Sequence, residues 1–276
     1  MIRLLRIELI KILSYSTFWI LSGITIGFYF IFLLIGIQIE IDFQGVDINV
    51  YFRFPVVWQT IAYYSSWFNL LLALLLMILI GNEFNFKTFR QNAIDGLSRR
   101  ELFFSKLILI GLFALVAFII SFFSALLIGV IYTNDLDSIN IFGDSYFVFS
   151  YFIQAIGLMS IAFLISLLLK NIAASIVVFI GIYIFELILR AYFALISVSW
   201  GQYLPFNIFS DLCSAPSLKK MLTNPTIRES IDNATIAAKT SGEINEISYG
   251  AIIILAVSFT LIFFYSSYMI FAKRDL

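Results

Sequence analysis

LILIGLFALVAFIISFFSALLIGVIYTN, residues 107–134, runs without a single Asp, Glu, Lys or Arg. About 20 such residues suffice for an α-helix to cross a hydrocarbon core about 30 Å thick, and a charge at the centre of that core costs a few kcal/mol even on the lenient insertion scale. This stretch therefore reads as a membrane-spanning helix. Four more uncharged runs of spanning length flank it, at residues 12–39, 54–82, 145–169 and 247–272. A sixth segment, Ile172 to Val198, is interrupted only by Glu186 and Arg190.

The whole composition agrees with that reading. The chain has 276 residues, of which 62% are hydrophobic and 12% charged, an apolar excess that a water-soluble domain could not bury. The sequence predicts an all-α polytopic membrane protein forming one domain over residues 1–276. Its six transmembrane helices fall near 17–38, 58–82, 107–132, 147–169, 172–198 and 248–272. A basic amphipathic start, residues 1–16, reads as an interfacial helix. The hydrophobic run after it is longer than a signal peptide's and is followed by GIQIE, without a small-x-small cleavage site, so it reads as a retained first span.

Basic residues set the orientation. Arg3, Arg6, Lys11, Lys87, Arg90, Arg99, Arg100, Lys106, Lys170, Lys273 and Arg274 fall on one side of the six-span plan, against Arg53, Lys219, Lys220, Arg228 and Lys239 on the other. The richer side is expected to be cytoplasmic, with both termini there. Aromatic residues Tyr51, Phe52, Trp58, Tyr146, Phe147, Trp200 and Tyr203 crowd the opposite boundary, as rings at headgroup depth do. The long outer connection, 199–247, predicts helices over about 216–222 and 225–239, forming a cap or gate.

Net charge is zero, histidine is absent and Cys213 is the only cysteine. No nucleic-acid-reading motif occurs. An intrachain disulfide is excluded, and a zinc, haem or iron–sulfur site built by this chain alone is not expected.

Immediately before the opening stretch stands NEFNFKTFRQNAIDGLSRRELFFSK, residues 82–106, the densest group of basic residues. Residues 83–94 lack Pro and Gly and can continue the second span as helix, with Phe86, Phe89 and Ala93 on one face and Lys87, Arg90 and Gln91 elsewhere. Gly96 can end that helix. Ser98-Arg99-Arg100-Glu101 is a capping box that starts the next one. The segment 83–106 is an elbow between two helices.

The spelling of this elbow, Glu83, Thr88 and Arg90, then Gly96-Leu97-Ser98-Arg99, Glu101-Leu102 and Lys106-Leu107, resembles the segment between the second and third spans in permease subunits of type-2 ABC exporters. The closing Phe271-Ala272-Lys273-Arg274-Asp275-Leu276 resembles the end of many such chains. The resemblance implies a multi-pass protein of the bacterial cytoplasmic membrane, with a cytoplasmic coupling helix between the second and third spans that docks on a separate ABC ATPase. That partner would be present in two copies and would bind ATP and Mg. A second permease subunit, identical or related, would complete the pathway, with membrane lipid as the remaining partner. Phe86, Lys87, Phe89 and Arg90 would face the ATPase groove, with Glu83 and Arg99 bracing the elbow and the turn at Lys170-Asn171 as a minor contact. The chain has no G-x-x-x-x-G-K-[ST] phosphate loop, so ATP hydrolysis falls to the partner. No cofactor and no catalytic role is expected of this chain itself.

Within the spans, Glu186 and Arg190 are four residues apart and can meet on one helix face. They read either as a self-paired couple or as part of a pathway or dimer seam, since intramembrane charges face protein or water. In the resembled family the second and fifth spans lie near the pathway. That makes Tyr63, Tyr64, Ser65, Ser66 and Asn69 candidates there, with simple packing as the alternative. The competing functions are an ATP-independent secondary transporter or channel, which wants mid-membrane charges, broken helices or inverted repeats, and a non-transporting permease-like component of a membrane machine. An intramembrane enzyme would need a deep set of acid, base or nucleophile side chains, which the sequence lacks.

Overall fold

The computed structural model describes residues 2–38, 51–133, 139–196, 198–216 and 247–273. The two helices expected over 216–222 and 225–239 fall outside, or nearly outside, these residues. Among the described residues every regular element is helical. Ten α-helices follow one another among these residues: α1 (Ile2–Ser14), α2 (Ser16–Gln38), α3 (Val57–Ser66), α4 (Asn69–Asn85), α5 (Thr88–Ile94), α6 (Arg99–Tyr132), α7 (Tyr146–Leu169), α8 (Ile172–Leu195), α9 (Pro205–Asp211) and α10 (Tyr249–Lys273). A short 3₁₀ helix, Ser199–Tyr203, precedes α9.

Among the described residues six segments are long and apolar enough to cross a membrane: Ser16–Ile37, Val57–Asn85, Arg99–Tyr132, Tyr146–Leu169, Ile172–Leu195 and Tyr249–Lys273. They coincide with the six spans read from the five uncharged runs and the segment Ile172 to Val198. The bundle is ringed by exposed large apolar side chains, among them Phe28, Leu127, Val177, Phe185 and Leu261, a surface suited to lipid. This is the architecture of a multi-pass membrane protein. The second span is built from α3 and α4, which meet at Trp67 and Phe68. The third is continuous with the capped helix of the elbow, so α6 is about 51 Å long at 1.5 Å per residue and extends beyond a hydrocarbon core of about 30 Å.

Helix α7 is the hub, packing against α3, α4, α6, α8 and α10. Its sequence explains that position. Ser150, Ala155, Gly157, Ser160, Ala162 and Ser166 are buried along it, and small residues let neighbouring backbones approach closely in a membrane. At Gly157 the approach is so close that a Cβ would overlap the ring of Phe209 from α9.

Two apolar cores lie towards opposite ends of the bundle. One gathers Phe52, Trp58, Phe147, Phe206 and Phe209, and the other Leu76, Phe89, Phe103, Phe163 and Phe271. The boundary aromatics are accordingly divided. Trp200, Tyr203 and Tyr146 are exposed, but Phe52, Trp58 and Phe147 are buried. Trp58 fills the first core and donates from Nε1 to the Ile141 carbonyl at 2.6 Å. A large ring at a helix end satisfies either environment, and here the chain returning through Ile141 covers it.

Helix α1 is joined to α2 through Tyr15 alone, and Trp19 Nε1 donates to the Leu13 carbonyl at 3.0 Å across that joint. Ile12 of α1 is buried in the second core. This brings α1 against the start of α6, where the elbow lies.

Candidate functional site

The elbow is built from three turns of backbone chemistry. The first departs from the sequence expectation of one continuous helix over 83–94. Helix α4 ends at Asn85, and Lys87 takes a left-handed conformation with φ 54°. Phe86 N–H donates to Asn82 O at 2.9 Å and Lys87 N–H to Phe84 O at 3.2 Å, tightening the last turn. Thr88 Oγ1 donates to Glu83 O at 3.2 Å, taking up a carbonyl that the break would leave bare. The reason for the break is packing: it turns α5 back so that Phe89 reaches the core.

The other two turns follow the sequence. Gly96 has φ 93°, and Leu97 N–H donates to Asn92 O at 3.1 Å, the six-to-one bond of a Schellman stop. Ser98 Oγ then accepts from Glu101 N–H at 3.3 Å, while Glu101 Oε2 accepts from Ser98 N–H at 2.8 Å. The capping box is complete, and such a cap stabilises by about 1 kcal/mol.

Phe89 was expected on the exposed face, and the structure corrects this. It is 2% exposed, with its ring 4.8 Å from that of Phe84 and 5.7 Å from that of Phe271. The exposed side of the elbow instead carries Phe86, Lys87, Gln91 and Ile94. Arg90 lies within α5, where only its backbone is described. Thr88 is half-buried. Arg99 Nη1 donates to Ala272 O at 2.9 Å, a cation on the last carbonyls of α10 where the helix end is negative.

Beneath the elbow lies a buried charge cluster whose full extent the sequence reading missed. Lys106 Nζ, on a side chain 1% exposed, is 2.5 Å from Glu83 Oε1 and 2.7 Å from Glu8 Oε2. Ser105 Oγ donates to Glu8 Oε1 at 2.9 Å. Lys11 Nζ stands 3.7 Å from both Glu8 and Glu83. Two carboxylates and two ammonium groups cancel, which is the condition for holding charges out of water. The Phe89 ring lies under Lys106, its centroid 5.2 Å from Nζ, so the aromatic face adds to the cation's surroundings. Burial alone would raise the Glu8 carboxyl, but the charges of Lys106 and Lys11, with the bonds from Lys106 and Ser105, hold it below its usual range.

The cluster joins three segments: α1 through Glu8 and Lys11, the end of the second span through Glu83, and the start of the third through Lys106. Glu83 thus braces the elbow by a direct ion pair. Glu8 was legible in principle, because it sits on the apolar stripe Leu5, Glu8, Leu9 and Ile12 of an amphipathic helix. A charge on such a stripe demands a partner.

The turn at Lys170 and Asn171 also reaches this region. Lys170 has φ 51° and its Nζ lies 5.6 Å from the centroid of Phe84, the ring that packs on Phe89. Gly81 of α4 lies so close to Ile172 that a Cβ would overlap it.

The intramembrane candidates separate into two groups. Ser65 and Asn69 are buried. Ser65 Oγ is 2.8 Å from Ser121 Oγ and 3.3 Å from the Tyr29 hydroxyl, and Asn69 Nδ2 donates to Gln154 Oε1 at 2.8 Å. Both pair within the chain, to the first, third and fourth spans. Tyr63, Tyr64 and Ser66 are half-buried; Ser66 Oγ donates to Tyr63 O at 2.7 Å, and Tyr64 packs edge-on against Phe32.

Glu186 and Arg190 do not form the couple expected from their spacing. Glu186 is buried and its Oε1 accepts from the Asn207 N–H at 2.8 Å, while Arg190 is exposed. Among the described residues no ion pair joins them. Glu186 faces inward because the first turn of α9 presents buried N–H groups that need an acceptor. No protein-family model and no curated protein matches this sequence, so the resemblance to exporter permeases rests on the residues themselves.

Proposed function

We propose that this chain is the membrane-spanning permease subunit of an ATP-binding-cassette exporter of the type-2 kind, with its elbow as the coupling site for a separate ATPase. The observation that carries this reading is the buried Glu8–Lys106–Glu83 cluster. A helix that receives a push from a partner transmits it only if it is fixed to the spans it must move, and this cluster fixes the elbow to the second and third spans and to α1.

On this reading α5 and its flanks present Phe86, Lys87, Gln91 and Ile94 to a groove on the ATPase, with Arg90 joining them by the resemblance. Phe89 takes the inward role of a wedge. Closure of two ATPase subunits on ATP and Mg presses on the elbow, and α4 and α6 tilt. Such coupling requires the partner to bind one membrane-domain state more tightly than the other. A second permease subunit completes the pathway, and the basic side of the bundle, carrying the elbow and both termini, faces the cytoplasm of a bacterial cell. Glu186, the acidic residue of the α8 span, is bonded to a backbone N–H, which weighs against a secondary transporter built on that group.

The test is affinity purification of the chain from its native membrane. An ABC ATPase should co-purify from the wild type and be lost from Phe86→Glu and Ile94→Glu variants that remain monodisperse. Isolation of a transport-active protein without any ATPase overturns the proposal.

A further inference from the structure

A cleft between the helices is unrelated to the elbow surface. It is an open cleft of about 320 Å³ between α1, α2, α3, α4, α6 and α7. Leu9 and Leu13 of α1 stand at one end, Trp19 and Thr25 follow along α2, and Tyr29 with Ser65 closes the other. Val116 and Ala117 of α6 form the facing wall.

Three observations define what fits there. First, the wall is mostly apolar, and the hydroxyls of Thr25, Ser65 and Tyr29 on it are already bonded: Thr25 Oγ1 donates to Leu21 O at 2.8 Å, and Ser65 lies in the cluster with Tyr29 and Ser121. A polar ligand would lose hydration for little return, whereas hydrocarbon loses nothing. Second, the cleft runs along α2 from Trp19 to Tyr29, about 15 Å at 1.5 Å per residue, which is half of a core about 30 Å thick. Its depth is that of one leaflet. Third, the charges at the α1 end are complementary to a phosphate. Glu8 and Lys11 are cancelled within the buried cluster; among the described side chains of α1 that leaves Arg6, exposed one helical turn before Leu9.

We infer that this cleft holds one acyl chain of an anionic phospholipid from the leaflet in which α1 lies, with its phosphate beside Arg6. The lipid fills the seam between the first and third spans, where α2 packs loosely, and so becomes part of how α1 and α2 sit against the bundle. This site is independent of any ATPase partner.

The experiment uses the full chain in phosphatidylcholine vesicles carrying a trace of phosphatidylglycerol with a diazirine at the end of one acyl chain. After illumination, mass spectrometry maps the adducts. Adducts should concentrate at Val116, Ala117 and Thr25 over the exposed lipid-facing Val177 of α8, and disappear from the cleft in Ala117→Trp while those on α8 persist. Arg6→Glu should weaken cleft labelling by the anionic probe about fivefold and leave labelling by a matched phosphatidylcholine probe unchanged. Cleft labelling no stronger than that at Val177 means annular lipid only and overturns the inference, as does cleft labelling that survives Ala117→Trp. Ser22→Phe provides a second obstruction at the wall, and the wild-type comparison of cleft with α8 decides the matter if neither variant folds.

Discussion

Lys106 Nζ lies 2.5 Å from Glu83 Oε1, with neither side chain more than 7% exposed. The two residues begin and end different spans, so this contact sets the angle between the second and third spans at the elbow. Glu8 completes the arrangement from α1.

Removing the cation alone should be strongly damaging. Lys106→Met leaves Glu8 and Glu83 buried without their closest counter-charge and should cost about 3–5 kcal/mol. The triple change of Lys106→Met with Glu8→Gln and Glu83→Gln should recover most of that loss, because no buried charge of the triad is then left unpaired. Thermal unfolding in detergent, followed by light scattering and tryptophan fluorescence, measures both.

Acid should loosen the same joint. The Glu8 carboxyl in the folded protein is held below its usual value, so its stabilising contribution is fully present above the unfolded value of about 4.3 and is lost as pH falls through the lower folded value. Midpoint temperatures between pH 7 and acid should therefore fall below about pH 4. Glu8→Gln should flatten that part of the profile, and an unchanged profile would refute the assignment.

The two phenylalanines of the elbow should behave oppositely. Phe89→Ala empties a site between Phe84, Phe271 and Lys106 and should destabilise by about 3–5 kcal/mol. Phe86→Ala, at an exposed side chain, should leave stability within about 0.5 kcal/mol while weakening capture of the proposed ATPase. Parallel melting and co-purification of the two variants separate these effects.

The hub contact gives a prediction far from any charge. Gly157→Ala places a methyl group inside the ring of Phe209, which is fully buried. Overpacking of this kind costs about 1–3 kcal/mol. Combining it with Phe209→Leu should relieve part of the loss, as measured by the same thermal assay.

Glu186→Ala should release α9 from α8, since the Asn207 N–H would lose its acceptor. The cost of leaving a buried donor unmatched is about 1–3 kcal/mol, whereas Arg190→Ala should change stability little because Arg190 forms no ion pair with Glu186. Equal effects from the two substitutions would restore the couple that their spacing suggests.

The division between what was readable and what was not follows from which forces are local. Five uncharged runs and one segment with only Glu186 and Arg190 determine six spans by themselves, because hydrocarbon excludes charge whatever the neighbours are. Gly96, Ser98 and Glu101 likewise determine the stop and restart of the elbow, since left-handed backbone and capping bonds involve residues a few positions apart. Tertiary structure decided everything that depends on residues distant in sequence. Lys87 breaks a helix with no Pro or Gly because Phe89 has a buried place to go. Glu186 turns from Arg190 because α9 offers it N–H groups. Glu8 and Lys106, 98 residues apart, pair because α1 folds back onto the start of α6. A charge pattern along one helix names the groups that need partners; only the packing of helices supplies them, since in a low-dielectric interior each buried charge is held by the nearest opposite one in space.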